Sequence, residues 1–376
     1  KSRDSEITNK LIQIVKSTGY PRTINIQWAK NSNKNIVDLA SRVGFIQKGI
    51  TLSVQSMSEN VLSAIERRNM AVSNLSDILS ECNKASIPSY TELILGLPLE
   101  TFTSWKEGWY KLLDLGQHCS IEVWLAQTLE NSLLNDPEER SKYGIKTINA
   151  KGYFFGISES ADPIETKIPE EIALITETST LPFEDLIESY MFSWMMTNFH
   201  CFGWTQLISR FMRIQSDFSY KCFYEALFDF IRNQNESKLI FDQYNITKKR
   251  ITKYLNHGDL DINLRNELGF EMKFVGHNLI YASQMVFRHH HQQMFQELSK
   301  FFYEITTDIS SQLQNDLIYC QRKWIIVPGQ KYPETIQVES NIFDYTLRET
   351  NQESGKMFYE LNYVKELLDY LPDIAE

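Results

Sequence analysis

Apolar residues along the first 130 positions alternate between helical and extended spacing. Apolar positions three and four residues apart predict a helix, as at Leu75, Ile78, Leu79 and Cys82. Short apolar runs bounded by Gly, Pro or Ser predict strands. The strand candidates are residues 23–29, 49–55, 89–95 and 120–127. Because helices placed between strands are typical of parallel sheets, we predict an α/β fold, a partial (β/α) barrel of parallel strands.

The pattern weakens after residue 130 and then becomes helical. Residues 131–181 contain many turn residues, such as Asp136-Pro137, and are predicted as a connecting segment. Helices are predicted at 186–212, 218–232, 247–256, 274–305 and 359–371. The extended runs 323–327 and 335–338 predict a small hairpin turned by Pro328-Gly329. The predicted domains are 1–130, half of a barrel; 131–181, the connection; and 182–376, a mainly α-helical domain.

Length and composition are those of an ordinary folded protein. The 376 residues are enough for two domains at roughly 150 residues each, and 42% hydrophobic with 23% charged residues excludes a disordered chain. Lys and Arg number 38 against 48 Asp and Glu, a net charge of −10, so we expect no nucleic-acid partner. The aromatic run 190–212 carries too many polar residues for a membrane span, so we expect no membrane partner either.

The cysteines and histidines predict no metal ligands within the chain. The five cysteines are scattered, at positions 82, 119, 201, 222 and 320, which is typical of reduced thiols in a cytoplasmic protein. His289, His290 and His291 point in three directions on a helix and cannot bind one ion together. His118 and His200 are predicted to be packed, hydrogen-bonded side chains.

Polar residues on two predicted strands form a candidate site. Side chains alternate along a strand, so Ser53 and Gln55 share one face, as do Glu92, Ile94 and Gly96. Polar groups on buried strands need partners, and a polar small molecule inside a barrel would supply them. The alternative is that Gln55 and Glu92 bond to neighbouring protein groups and that Gly96 only turns the chain.

Two further residues extend this candidate site. Gly96 lies at the C-terminal end of its strand, where ligands approach the backbone in α/β folds. Arg67 follows the Ser53 strand on a predicted helix and can pair with a carboxylate. Spacing alone leaves the ligand-binding and the purely structural interpretation open.

Two segments around these residues resemble the radical S-adenosylmethionine (radical SAM) superfamily. Residues 52–69 are similar to its fourth-strand region, and residues 91–101 to its fifth-strand motif. The turn here reads Gly96-Leu97-Pro98-Leu99-Glu100-Thr101, with Leu99 where the family usually has Gly, and Glu92 stands where the motif often opens with Gly. The amino-acid sequences of residues 29–31, 90–96 and 142–146 are most similar to those of the cobalamin-binding branch. The resemblance covers about residues 20–150.

The resemblance implies roles for the candidate residues. It implies that Ser53 and Gln55 contact the ribose of S-adenosylmethionine and that Arg67, or less plausibly Arg68, engages the methionyl carboxylate. It also implies that Ile94 packs on adenine. The remaining members of the implied binding set are Glu92, Gly96 and Leu97, of which Gly96 and Leu97 would shape the pocket. No residue of this chain is implied as catalytic.

The implied cofactors are S-adenosylmethionine, a 4Fe-4S cluster and cobalamin. In the family these generate a 5′-deoxyadenosyl radical, and the expected outcome is methylation of an unactivated carbon in a small-molecule or peptide substrate. The family's C-x-x-x-C-x-x-C cluster loop does not occur among the five cysteines. We therefore expect the cluster ligands, the N-terminal half of the barrel and a cobalamin-binding domain upstream of Lys1, and expect this chain alone to be inactive.

Two other interpretations remain at this stage. The chain could be a split or degenerate half-barrel that serves as a binding or assembly subunit for a separate cluster-bearing chain. It could also be an unrelated α/β metabolic enzyme, which would require a complete closed fold within these residues.

Overall fold

The computed structural model describes most of the chain. The described residues are 3–22, 24, 26, 35–44, 49–85, 87–151, 171–216, 218–233, 235, 237–258, 264–265, 271–272, 277–327, 330–348 and 350–361. The strand predicted at 23–29 lies mostly outside them, as does most of the helix predicted at 359–371. The Pro328-Gly329 turn also lies outside the described residues.

The first described half contains α1 to α5 and a three-stranded parallel sheet. The helices are α1 Arg3–Thr18, α2 Asn35–Val43, α3 Glu59–Ala64, α4 Val72–Lys84 and α5 Phe102–Asp114. The strands are β1 Ile50–Gln55, β2 Ser89–Leu95 and β3 Ser120–Leu125, in the order β1-β2-β3. Each strand agrees with its predicted position to within two residues, and helices intervene between them as expected for βα units.

The two faces of this sheet have different surroundings. Residues such as Leu52, Val54 and Leu93 are buried on one face, in the same core as Leu75 and Ile78 of α4. The other face carries half-buried or exposed residues, namely Thr51, Ser53, Gln55, Tyr90, Glu92, Ile94, Ser120, Glu122 and Trp124. We call this second side the open face of the parallel sheet. In a (β/α) barrel, the side opposite the helices is the interior.

The helix predicted after β1 is shorter in the structure. Ser58 occupies the N-cap position of α3, but its side chain makes no capping hydrogen bond, and α3 ends at Ala64, four residues before the predicted end at Arg68. The positive φ of 52° at Glu66 explains this end, because a non-glycine residue in the left-handed region cannot continue a right-handed helix.

A second sheet occupies part of the segment predicted as a connection. The strands are β4 Gln127–Thr128, β5 Lys146–Lys151 and β6 Glu171–Glu177, antiparallel in the order β4-β6-β5. A 3₁₀ turn, Leu133–Asn135, and helix α6, Pro137–Tyr143, lie between β4 and β5. Asp136 caps α6 by accepting a hydrogen bond of 2.9 Å from the backbone N–H of Glu138. The domain boundaries at 130 and 181 stay predictions.

The chain from residue 183 onward is mainly helical, as predicted. The helices are α7 Phe183–Met195, α8 Gln206–Gln215, α9 Tyr220–Ile231, α10 Lys238–His257, α11 His277–His289, α12 His291–Ile305 and α13 Ser311–Trp324. A π-helical turn, Met196–Cys201, follows α7, and a two-residue pair, β7 Leu264–Arg265 and β8 Glu271–Met272, follows α10. The rings of Trp194, Phe199, Trp204 and Phe287 form a fully buried cluster with centroid separations of 5.8–6.4 Å. We call these four residues the aromatic core.

The small antiparallel pair near the C-terminus has a different partner from the predicted one. Strand β9, Glu334–Ser340, includes the predicted run 335–338, but it pairs with β10, Ser354–Leu361, across helix α14, Ile342–Arg348. Residues 323 and 324 end α13 instead, so that part of the hairpin prediction was wrong. The first residues of the helix predicted at 359–371 are also in a strand, because Met357, Tyr359 and Leu361 alternate toward the core at period two.

Among the described helices, none is long and apolar enough to cross a membrane.

Candidate functional site

A cavity of about 450 Å³ lies at the C-terminal edge of the parallel sheet. Its lining residues are Gln55, Ile65, Ile94, Leu97, Trp124, Leu125, Ala126, Gln127, Leu129, Ser132, Leu133 and Leu134. Mostly apolar walls with a few polar groups, at this volume, are typical of small-molecule sites. Three residues of the predicted set, Gln55, Ile94 and Leu97, therefore meet in one cavity.

Three other predicted residues lie near one another beside the cavity. Two of them, Ser53 and Glu92, are on the open face two positions before the lining residues Gln55 and Ile94. Ser53 and Glu92 are direct neighbours across β1 and β2, and Glu92 is in turn opposite Glu122 of β3. The Ser53 hydroxyl donates a hydrogen bond to the Glu92 carboxylate. Arg67 Nη2 donates to the Ser53 carbonyl at 2.9 Å. The structure thus brings Ser53, Arg67 and Glu92 together and adds Glu122, which sequence reasoning missed.

Burial and the neighbouring charge of Glu92 shift the pKa values of Glu122 and Arg67. Burial, followed by the adjacent Glu92, raises the pKa of Glu122 to about 7. Burial lowers the pKa of the Arg67 guanidinium, while the charge of Glu92 opposes that shift. Glu122 lies beside Glu92 on this face. Because the pKa of Glu122 is about 7, its carboxyl group gains and loses a proton around physiological pH.

Gly96 is surrounded by the protein's own side chains. It is buried with φ +101°, and a Cβ built on it would lie 3.4 Å from Leu186 Cδ1 and 3.5 Å from Ala126 Cβ. The positive φ of the turn accounts for a glycine here, since both neighbours lie at ordinary van der Waals distances from the added Cβ. Its contact with a ligand stays a prediction.

Four described non-glycine residues in or near the cavity wall have a positive φ, namely Gln55, Glu66, Leu99 and Asn131. Gln55, which ends β1, has φ 60°, and Leu99, in the turn after β2, has φ 64°. The pairing of β1 with β2 shifts register between Ser53 and Gln55. Residues in the left-handed region cost on the order of 1 kcal/mol or more and cluster at ligand sites and switches. The strain at Gln55 therefore coincides with a predicted binding residue.

Glu100 is the buried charged residue of this edge, and sequence reasoning gave it no role. Its side chain is 1% exposed, and it accepts hydrogen bonds from Ser56 Oγ at 3.1 Å and from Ser104 Oγ. Thr180 Oγ1 donates to its backbone carbonyl at 2.7 Å. Burial raises the pKa of Glu100, and the serine hydroxyls oppose the shift. The Glu-Thr end of the fifth-strand motif was the available sequence signal.

The described residues do not fit an iron–sulfur cluster. Cys119 and Cys222 are exposed, the other three cysteines are buried, and no group of three His, Cys, Asp or Glu residues in the described ranges could hold a metal ion. The histidine triplet is included in that finding.

His118 and His200 contact each other in the helical region. His118 Nδ1 lies 3.1 Å from His200 Nε2, and His200 Nδ1 bonds to the hydroxyl of Tyr224. Burial, with Arg210 adding to it, lowers the pKa of His200 to about 3, and burial also lowers the pKa of His118. Both rings are neutral hydrogen-bonding groups at pH 7, as the packed-histidine prediction states.

Sequence comparisons identify relatives of part of the chain. It is 32% identical over 239 residues to the cobalamin-dependent radical SAM methyltransferase TokK of Streptomyces tokunonensis, covering 63% of this chain and 34% of that protein. It is 32% identical over 227 residues to the 2-(S-pantetheinyl)-carbapenam-3-carboxylate methyltransferase of Streptantibioticus cattleyicolor, covering 60% and 33%. The match thus spans about a third of each curated relative. No family model matches the chain.

Solved structures give weaker similarities. The methyltransferase TsrM of Kitasatospora setae, with tryptophan and a SAM analogue bound, has a TM-score of 0.35 and 11% identity, covering 49% of this chain and 39% of TsrM. Coproporphyrinogen III oxidase (HemN) of Escherichia coli has a TM-score of 0.28 and 16% identity, covering 33% and 28%. We base no conclusion on these two. The sequence matches, by contrast, confirm the resemblance: over 63% of its length the chain is homologous to cobalamin-dependent radical SAM methyltransferases.

Proposed function

We propose that this chain supplies part of the S-adenosylmethionine-binding wall of a cobalamin-dependent radical SAM methyltransferase. The observation that supports it best is the cavity at the C-terminal edge of the parallel sheet, where Gln55, Ile94 and Leu97 meet. All three were predicted from sequence as binding residues. Gln55 ends β1, whereas Ile94 and Leu97 belong to β2 and the turn after it, so the fold brings two separate segments together.

The lining of the cavity suits a nucleoside. Ile94, Leu97 and the half-exposed Trp124 provide apolar and aromatic surface for an adenine ring. Gln55 and Gln127 provide amide groups, each with a donor and an acceptor, for ribose hydroxyls. A site of this kind excludes water from the base while fixing the orientation of the sugar.

Arg67 and the carboxylates would serve the amino-acid end of the same ligand. The guanidinium, fixed on the Ser53 carbonyl, has further N–H groups that can donate to a carboxylate. Glu92 and Glu122 lie beside it on the open face and can accept hydrogen bonds from an ammonium group. The role of Arg67 follows the assignment implied for the family, and the roles of Glu92 and Glu122 are proposed from their positions in the structure.

The remaining cofactors would be held by partners. When bound, S-adenosylmethionine supplies a methyl group or, after one-electron reduction by a 4Fe-4S cluster, a radical that removes hydrogen from the substrate. We propose that the cluster and cobalamin bind to the N-terminal half of the barrel and a cobalamin-binding domain, that the substrate is a small molecule, and that the assembly is cytoplasmic. The carbapenam substrate named for one relative is an example of that class.

Ligand titration of the 376-residue chain tests the proposal. S-adenosylhomocysteine is the probe, with isothermal titration calorimetry and tryptophan fluorescence as readouts because Trp124 lines the cavity. We expect saturable binding that Ile94→Asp weakens at least about tenfold, since a carboxylate would be placed against the base. Ile214→Asp, at an exposed position on α8, is the matched control and should leave the affinity unchanged. Absence of binding by the wild-type chain, or equal affinities for both variants, would contradict the proposal.

An assembly subunit is the second candidate. It is favoured by the sheet edges: within the described residues, β1 and β3 each bond to only the central strand of their sheet. Unpaired strand edges recruit further strands. The gene sequence upstream of Lys1 separates the candidates, because an in-frame C-x-x-x-C-x-x-C motif would rule out a separate cluster-bearing chain.

A further inference from the structure

Glu100 connects the turn after β1, which borders the cavity at Gln55, with the start of helix α5. Its two carboxylate oxygens accept from different serines: Oε2 from Ser56, in the turn that follows β1, and Oε1 from Ser104, in the first turn of α5. The backbone N–H of Thr101 also contributes to its stabilisation. A carboxylate that is 1% exposed and bonded at both oxygens fixes the two serines relative to each other.

The serine on the β1 side is adjacent to the strained residue. Ser56 follows Gln55, whose φ is 60°, and the Ser56 hydroxyl also accepts a hydrogen bond of 3.1 Å from the Ser58 N–H. Asn69 Nδ2 holds the Ser56 carbonyl at 2.9 Å. Ser56 N–H donates to the Val54 carbonyl at 2.7 Å. Every polar group of Ser56 is therefore bonded, and the Glu100 contact is the one that reaches the segment between β2 and α5.

We infer that Glu100 is a positioning residue that holds the Gln55-Ser56 turn in its left-handed geometry and so shapes the cavity wall. Left-handed non-glycine residues persist only where the surrounding structure over-determines them. The hydrogen bond from Ser56 to the buried carboxylate of Glu100 is one of those that hold this turn. Glu100 does not line the cavity, so its side chain would act on a ligand indirectly, through Ser56 and the adjacent Gln55. The ligand itself rests on the proposed function.

The two serines provide a matched test on the same carboxylate. Ser56→Ala and Ser104→Ala each remove one hydroxyl donor from Glu100, and both should lower the urea midpoint by similar amounts. Ser56→Ala should also weaken S-adenosylhomocysteine binding about five- to tenfold, because the Gln55 turn loses a hydrogen bond worth that factor. Ser104→Ala should change the affinity less than about twofold. If Glu100 had a purely structural role, the two variants would bind S-adenosylhomocysteine with equal affinity. That result would overturn the inference.

Amide hydrogen exchange supplies a readout that needs no ligand. Exchange at residues 54–58 should rise about tenfold in Ser56→Ala and Glu100→Ala, and Glu100→Gln, which keeps an acceptor, should restore most of the protection. If the two variants exchange faster but the wild-type chain binds no S-adenosylhomocysteine, the proposed function is overturned and the positioning role is supported. Normal binding with unchanged exchange would overturn the positioning role and support the proposed function. If Glu100→Ala fails to fold, the two serine variants still decide the question.

Discussion

Tryptophan side chains are buried and hydrogen-bonded in the aromatic core but partly exposed on the open face of the parallel sheet. Trp194 and Trp204 are fully buried, and their indole N–H groups donate to Ser283 Oγ at 2.9 Å and Gln284 Oε1 at 3.1 Å. Trp124, on the open face, is 43% exposed beside the cavity. A tryptophan in the core contributes stability, whereas one at a cavity wall offers its surface to a ligand.

Polar groups differ between the two regions in the same sense. In the helical region Gln284 Nε2 donates to Asn198 Oδ1 at 2.8 Å, and Asn198 Nδ2 donates to the Trp194 carbonyl at 2.9 Å. On the open face Glu92 and Glu122 are adjacent carboxyl groups, an arrangement that raises the free energy of the folded state when both are charged. A region in which adjacent carboxyl groups destabilise the fold is a better candidate for function than one in which Gln284 and Asn198 bond to each other and to the backbone.

Substituting one tryptophan in each region should give the largest difference. Trp194→Ala should lower the free energy of unfolding by about 3–5 kcal/mol, because it leaves a cavity among packed rings and removes the hydrogen bond to Ser283 Oγ. Trp124→Ala should change it by less than about 1 kcal/mol while weakening S-adenosylhomocysteine binding. Urea denaturation measures the first quantity and calorimetry the second. Similar losses of stability in the two variants would remove the distinction between the regions.

Glu122→Gln should stabilise the protein at alkaline pH. The pKa of Glu122 is raised to about 7 in the folded state, against about 4.5 for the free carboxyl group, so the folded state binds the extra proton between these values. Its contribution is therefore fully present below pH 4.5 and is lost as the pH rises through 7. At pH 8 we expect the variant to be more stable by about 2 kcal/mol, and at pH 4.5 the gain should vanish. Glu138→Gln on the exposed start of α6 is the control, and an equal gain at both pH values would contradict the prediction.

His200 in the helical region should give a pH dependence of the opposite sign. Its pKa is lowered from 6.5 to about 3, chiefly by burial, so the unfolded chain binds a proton that the folded chain does not. The stability is fully present above pH 6.5 and falls by about 1.4 kcal/mol per pH unit below it. His200→Gln should be less stable at pH 7.5 but should show a shallower decline toward pH 5. The exposed His290→Gln variant should keep the wild-type slope.

Sequence reasoning worked where the pattern is local. Three strand positions and the apolar face of α4 followed from alternation and spacing. Gln55, Ile94 and Leu97 line one cavity, but their binding of a ligand stays a prediction. Glu122 was missed because its significance depends on the strand opposite, and register between distant strands is a tertiary property. The β9–β10 pairing was missed for the same reason, since an antiparallel partner can lie beyond an intervening helix.

The smallest predicted effect concerns Leu99, which stands where the related motif usually has glycine. Its φ of 64° costs a leucine roughly 1 kcal/mol, and a glycine would avoid that cost but would also gain freedom in the unfolded chain. We expect Leu99→Gly to raise the free energy of unfolding by about 0.5 kcal/mol, measured by urea denaturation.

Leu133→Gly is the matched control for that change. Leu133 is similarly exposed, at 43% against 38% for Leu99, but it is not among the described residues with positive φ. Glycine there should lower the free energy of unfolding by about 0.5–1 kcal/mol, because only the entropic effect remains. Destabilisation of the same size at both positions would mean that the left-handed turn at Leu99 carries no strain. Backbone strain near the cavity would then no longer be a difference between the open face and the aromatic core.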